Sequence, residues 1–146
     1  MKTLPIVVTL LLLCLVTGAA ARASGIEIRH QGTAWVTVDA GGTIRLRGGH
    51  IGSLERDGTV RNPGGSRIGK IDEDGTLRDA GGSTVASVAT SGTLRYGGVT
   101  VGQITAEGAI HRQGRTWGTA SPCGSFEDRR RVAAVLLFFS TFFDSP

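Results

Sequence analysis

The side chains of this sequence best suited to chemistry recur in step. Arg29, Arg45, Arg61, Arg78 and Arg95 hold the same place in successive short phrases. A guanidinium is a planar fork of donors that matches carboxylate and phosphate, so a ring of five would suit an anionic glycan or a phosphate. The competing reading is architectural. Residues repeated in repeat proteins mostly serve packing between units, each arginine here lying over a neighbour and bonding a turn carboxylate or carbonyl. That second reading is preferred.

The remaining polar motifs carry less. Asp72-Glu73-Asp74-Gly75 has the alternating acids of a calcium loop but lacks a bidentate acid at its far end. Other turns do not repeat those acids: Asp57 stands alone, and Ser91 and Glu107 replace the aspartate. His30, His50 and His111 lack metal-ligand spacing, and there is no nucleophile elbow. We therefore assign no catalytic residue, metal ligand or cofactor site, and the chain reads as non-enzymatic. Trp35 and Trp117 occupy equivalent places in the first and last units. That placement suits plugging a ring closure better than a sugar-stacking platform.

The elements that must hold these residues follow from the repeat. A turn glycine falls at Gly42, Gly58, Gly75, Gly92 and Gly108, spaced 16, 17, 17 and 16 residues apart. After it comes a small, an apolar and a basic residue, as in Thr76-Leu77-Arg78; before it comes an apolar-small-x-apolar phrase, as in Ile68-Gly69-Lys70-Ile71. Asp74-Gly75 between two such runs is a hairpin signal, because glycine accepts positive φ and aspartate bonds its own backbone. Five hairpins result, with one unpaired half-unit at each end, Ile28-Arg29 and Thr116-Trp117-Gly118. Loose ends that complement each other predict an all-β ring whose first and last strands meet, which removes exposed sheet edges. Ile68 and Ile71 are three apart, which strict alternation puts on opposite faces. Either the strand is buried on both sides or a bulge at Gly69 realigns it.

The flanks differ in character. Residues 1–23 read as a secretory signal, with Lys2, an apolar run from Ile6 to Val16 and Ala21-Arg22-Ala23 for cleavage. The run is shorter than the ~20 residues a membrane span needs. Leu13 before Cys14 argues against lipidation, since a small residue is wanted there. The chain is thus read as exported, to the periplasm, cell surface or medium. Cleavage removes Lys2 and Arg22, leaving 14 basic against 12 acidic residues, a net +2 that does not suggest nucleic acid. It also leaves Cys123 alone, so no intramolecular disulfide forms.

A repeat domain over 24–120 is followed by a linker, 121–131, and a Phe-rich tail, 132–146. Ser125 with Asp128 has the look of an N-cap with acid in the first turn of a short helix. The apolar run Val132–Phe143 is ~18 Å long as a helix, too short for a bilayer. It packs on the repeat domain, lies in a membrane interface, or recruits an envelope protein, glycan or other partner. Packing is narrowly preferred.

Ile68-Gly69-Lys70-Ile71 with Asp74-Gly75-Thr76-Leu77-Arg78, the flanking units, and the tail's Ala133-Ala134, Phe138-Phe139 and Phe142-Phe143 together resemble the bacterial 5-fold β-flower proteins. The resemblance covers nearly the whole chain after the signal. It implies five tandem β-hairpin repeats closed into a pseudo-five-fold ring, and it implies no activity. Departures fall in the outer repeats, where Ile26 replaces the turn glycine, His111 the arginine, and Val36 and Ala86 the strand glycine. The function expected is a structural or interaction role at the cell envelope, with anionic glycan or phosphate binding through the arginines as the alternative.

Overall fold

The computed structural model describes residues 25–144, so the signal segment lies outside the described residues. Among the described residues, twelve strands are followed by one helix. They are β1 (Ile26–His30), β2 (Thr33–Val38), β3 (Thr43–Leu46), β4 (Gly49–Leu54), β5 (Thr59–Arg61) and β6 (Arg67–Ile71). The second half holds β7 (Thr76–Asp79), β8 (Thr84–Val88), β9 (Thr93–Tyr96), β10 (Val99–Ile104), β11 (Ala109–Arg112) and β12 (Arg115–Ser121). Helix α1 (Phe126–Phe138) comes last. Each strand pairs antiparallel with its chain neighbours, and β1 pairs with β12, so the sheet closes into a barrel. The two half-units left over in the sequence meet as Ile28 opposite Ala120 and Arg29 opposite Thr119. They add a sixth strand pair to the five hairpins, so the ring holds six pairs where five-fold symmetry was expected.

A bulge recurs at every odd-to-even strand pairing within the hairpins of one rim. Val60 lies opposite Gly69 but Arg61 lies opposite Arg67, so Ile68 is the extra residue. The same shift isolates Trp35, Ile51, Val85, Val101 and Trp117. This resolves the three-residue spacing: Gly69 and Ile71 point inward by alternation, while the bulged Ile68 is half-buried against the core. Six bulges also supply the extra bend that barrel closure needs.

The 16- and 17-residue spacings have a loop origin. Four turns on this rim have two residues with positive φ, Gln31-Gly32, Arg47-Gly48, Gly97-Gly98 and Gln113-Gly114, which is the hairpin-matching type I′ pattern. The β5–β6 and β7–β8 connections are one residue longer between equivalent core positions, and are held by Asn62 and Asp79 side chains accepting from Ser66 and Ser83 amides. The opposite rim carries the turn glycines. Gly75 has φ 96°, and a Cβ there would lie 2.0 Å from the Val88 carbonyl oxygen. Its own carbonyl accepts from the Val88 amide at 2.9 Å, locking each turn to the next hairpin.

The lumen is apolar and occupied. Ile28, Ile44, Val60, Leu77, Leu94 and Ile110 face it from the odd strands, all 0 % exposed. Val38, Leu54, Ile71, Val88, Ile104 and Ala120 face it from the even strands. A barrel of this strand number is too wide for wall side chains alone to fill. The C-terminal segment fills it. Val132, Ala133, Ala134, Val135 and Leu136 are consecutive and buried, so α1 is covered on every side, and it contacts β1, β6 and β8 around the ring.

Helix α1 enters at the turn-glycine rim, capped by Ser125 Oγ accepting from the Asp128 amide at 3.1 Å, and runs to the opposite rim. There the wall is cut away for it. A Cβ on Gly69 would lie 2.2 Å from the Phe138 ring, one on Gly52 2.5 Å from Phe139, and one on Gly102 3.0 Å from Phe142. Ser140 Oγ donates to Leu136 O and accepts from the Phe142 amide, turning the chain so that Phe142 and Phe143 are buried. The helix begins at Phe126, so Arg129–Arg131 lie in its first turns and not in a linker.

The outer wall is polar, as alternation dictates: Thr43, Arg45, Lys70, Arg78, Ser87 and Arg95 face away from the lumen. A bilayer-spanning barrel needs the reverse, an apolar outer band. Among the described residues no helix is long and apolar enough to cross a membrane.

Removing the plug tests this arrangement. Truncation after Asp128 should cost several kcal/mol, at about 1.5–3 kcal/mol per large apolar side chain buried. We expect loss of the cooperative melt, binding of an apolar dye, and recovery of both on adding a peptide of residues 129–144. A truncated chain melting within a few degrees of the full one would show that the lumen does not need filling.

Candidate functional site

The five arginines expected to form a ring stand on the outer wall and point away from one another. Three are clamped in one manner. Arg78 Nε donates to Asp72 Oδ2 at 2.8 Å, and its Nη1 donates to Gly82 O at 3.2 Å and Thr84 Oγ1 at 3.3 Å. Arg61 bonds Glu55 and donates from Nη1 to Gly65 O at 3.0 Å. Arg29 bonds Glu27 Oε1 at 2.8 Å and Gly32 O at 3.4 Å. Each ties a carboxylate to a hairpin turn across the strand pair. Such exposed pairs contribute at most about 1 kcal/mol each. Glu55 and Asp72 lie six residues before their arginines. At that place Arg45 has Asp39, whose Oδ1 already accepts from the Gly41 and Thr43 amides, and Arg95 has Ala89. Those two have no such clamp, and they sit on β3 and β9, on opposite sides of the ring.

Of the three arginines at the head of the helix, Arg129 and Arg130 fasten it to the rim. Arg129 Nη1 donates to Cys123 O at 3.0 Å and Gly124 O at 3.3 Å, and Nη2 to Thr90 O at 3.2 Å. Arg130 donates to Asp72 O at 3.0 Å and lies 5.7 Å from the Phe126 ring centroid. Arg131 pairs with Glu127 at 2.8 Å. Beside them a cleft of about 650 Å³ opens between the helix start and the turns at Gly42 and Gly58, with Arg56, Glu55 and Glu127 among its walls. Its charges are mixed.

The opposite rim gathers the aromatic residues. Trp35 and Trp117 flank β1, their rings 5.5 Å apart and edge-on, and Phe142 meets Trp117 edge-on at 5.4 Å. His30 stacks on Trp117 at 4.1 Å, and its Nδ1 lies 2.7 Å from Trp117 O. The tryptophans thus stand at the β1–β12 closure and hold the end of the plug. A second cleft of about 520 Å³ lies outside them, lined by Arg112, Gln113, Arg115, Thr116 and Trp117. Nothing in the repeat pattern signals this cleft, because it depends on residues that depart from the pattern.

His50 is exposed on β4, and His111 Nδ1 lies 3.5 Å from Thr116 Oγ1. Among the described residues no three His, Cys, Asp or Glu side chains gather around a point that could hold a metal ion. Asp74 gives its carboxylate to the Thr76 amide, not to a calcium-type loop. Cys123 is buried and unpaired, and burial pushes its thiol up to about 11. Searches of family models, curated proteins and solved structures find no match to the chain.

Two outcomes follow from these environments. The Thr59 and Thr76 backbone amides hold the Asp57 and Asp74 carboxyls below the usual carboxylate range. A depressed pKa contributes stability above the unfolded value and loses it as pH falls through the folded value. Stability should therefore hold from neutral pH down to about 5 and decline below about 4, less steeply in a D57N/D74N variant. An identical acid profile in the variant would contradict the assignment. Second, a small disulfide reagent at pH 8 should modify Cys123 about two orders of magnitude more slowly in the folded chain than in denaturant. Equal rates would show that the thiol is not enclosed.

Proposed function

We propose that this chain is an exported, non-enzymatic repeat module with a structural or interaction role at the cell envelope. One observation carries the reading: the lumen, the natural ligand site of a closed barrel, is taken by the chain's own helix. The chemistry-bearing side chains are engaged in the same task. Arg29, Arg61 and Arg78 brace the wall, Arg129 and Arg130 fasten the plug, and His30 lies against Trp117. What remains for a partner is the polar outer surface and the two rims. The alternative, anion binding by a ring of repeated arginines, has less support because the five diverge. Kinship with the β-flower proteins remains part of the proposal, supported by the repeated phrase and the tail, with six strand pairs in place of five-fold symmetry.

The compartment is testable directly. Expressed from its full sequence in a bacterial host, the chain should appear in the periplasmic or extracellular fraction, with a mass lacking residues 1–23. Retention in the cytoplasm with residues 1–23 still attached would remove the export half of the proposal.

A further inference from the structure

The rim at which the bulged hairpins turn allows one position to be compared around the ring. It comes directly after the wall arginine, or after His111 in the last unit. His30, Asn62, Asp79 and Arg112 hold it in four units, and each is half-buried. Leu46 and Tyr96 hold it in the other two, and both are exposed. The polar residues are the sheltered ones and the apolar residues the open ones, the reverse of what burial favours. Val99 faces Tyr96 across the two-glycine turn and is 65 % exposed.

Leu46, Tyr96 and Val99 are the exposed large hydrophobic side chains among the described residues, and all three stand on this rim. Scattered exposed apolar residues need no explanation, but a set gathered at one end does. They also share neighbours. Where the arginine is clamped, at Arg29, Arg61 and Arg78, the next residue is polar. The two without a clamp, Arg45 and Arg95, directly precede Leu46 and Tyr96, and Arg47 follows Leu46. These two tips stand across the mouth from each other, on β3 and β9. The end of the plug lies between them, with Phe139 arriving at Gly52 of β4 and Phe143 standing 5.8 Å from Tyr96. The opposite rim differs. Its turns carry Asp57, Glu73, Asp74 and Glu107, and Arg129, Arg130 and Arg131 there are bonded to carbonyls or to Glu127.

We propose that the hairpin rim rests on an anionic bilayer surface, with Leu46, Tyr96 and Val99 in the headgroup layer and Arg45, Arg47 and Arg95 on lipid phosphates. Apolar tips flanked by cations match a surface that is negative above and apolar beneath. A guanidinium offers phosphate oxygens a fork of donors, and tyrosine suits a depth where one end is apolar and the other wet. A second copy stacked here by its acidic rim would satisfy the arginines but set the apolar tips against polar turns, so the bilayer fits better. The inference rests on the envelope role and names its surface, yet vesicle binding is measured without export, so each can fail alone.

Flotation of the chain from residue 24 with lipid vesicles tests this, since every strand and the helix lie beyond that point. We expect binding to vesicles of mixed phosphatidylglycerol and phosphatidylcholine, and at least tenfold weaker binding to phosphatidylcholine alone. Val99→Asp and Leu46→Asp, at exposed sites, should melt as the parent does and bind the mixed vesicles at least tenfold more weakly. Arg56→Ala, at an exposed site on the opposite rim, alters the net charge by the same amount and should bind as the parent does. Absence of binding to the mixed vesicles overturns the inference. So does full binding by both aspartate variants, or equal binding to phosphatidylcholine alone, which would leave the arginines without a role. Equal weakening in Arg56→Ala would reduce the effect to net charge and overturn it too. Self-association in lipid-free solution that is lost in Val99→Asp would assign the tips to a second copy instead.

Discussion

The whole architecture depends on filling a hole. Closing twelve strands encloses more space than one layer of wall side chains can occupy, and an empty apolar lumen forfeits dispersion contacts and burial alike. The chain fills it with its own terminal helix, and the sequence bends to that need on both sides. On the helix, the middle is Ala133-Ala134, narrow enough to pass between the isoleucines and leucines of the wall. On the wall, glycine stands at Gly52, Gly69 and Gly102, where the Phe139, Phe138 and Phe142 rings arrive. Large residues on one surface meet absent side chains on the other.

Those strand glycines serve two constraints at once. A Cβ on Gly69 would also lie 2.6 Å from the Arg78 carbonyl oxygen of the adjoining strand, so the backbone is crowded before any ring arrives. The crowding belongs to the bulge, which presses neighbouring strands together on the inner face and bends the sheet toward closure. Gly118 holds the equivalent place, and a Cβ there would lie 2.2 Å from the Arg29 carbonyl oxygen, its nearest neighbours being backbone and not a phenylalanine ring. Curvature is therefore demanded at all six positions, and aromatic clearance only where the plug's bulky end lies.

Much of the barrel was legible because its signals are local. Turn glycines, β-branched strands and the 16–17-residue step depend on neighbours in sequence, and the loop lengths account for the one-residue difference. The two half-units pointed to closure, but their mutual pairing as a sixth strand pair is a long-range event that the resemblance to a five-fold ring obscured. The helix cap at Ser125 was readable for the same local reason. The helix's destination was not. An apolar run covered on all sides fits a lumen, a membrane or a partner equally well until the ring is known to be wide enough. The arginines show the same divide. Their period was plain, but Arg29 takes Glu27 two positions earlier, and for the other four a carboxylate depends on one residue six positions earlier, present as Glu55 and Asp72, otherwise committed as Asp39, and missing at Ala89.

Enclosure also links two events that sequence places far apart. Helix α1 follows β12 through the short connection 122–125, so the plug is tethered at the strand that must pair with β1 to close the ring. If closure came first, a helix apolar from Val132 onward would have to thread a finished barrel. If the helix docked first, it would lie on a sheet still open at the β1–β12 edge, covering the apolar face while the last ladder formed. The second order exposes less apolar surface at every stage. It also explains why the bulkiest residues gather at this edge. Trp35 and Trp117 stand on either side of β1 and touch each other, and Trp117 touches Phe142 of the tail, so one aromatic cluster joins seam and plug. The seam is thus where a repeat protein of otherwise interchangeable units must be specific, and it is the sector in which this chain departs from its own repeat.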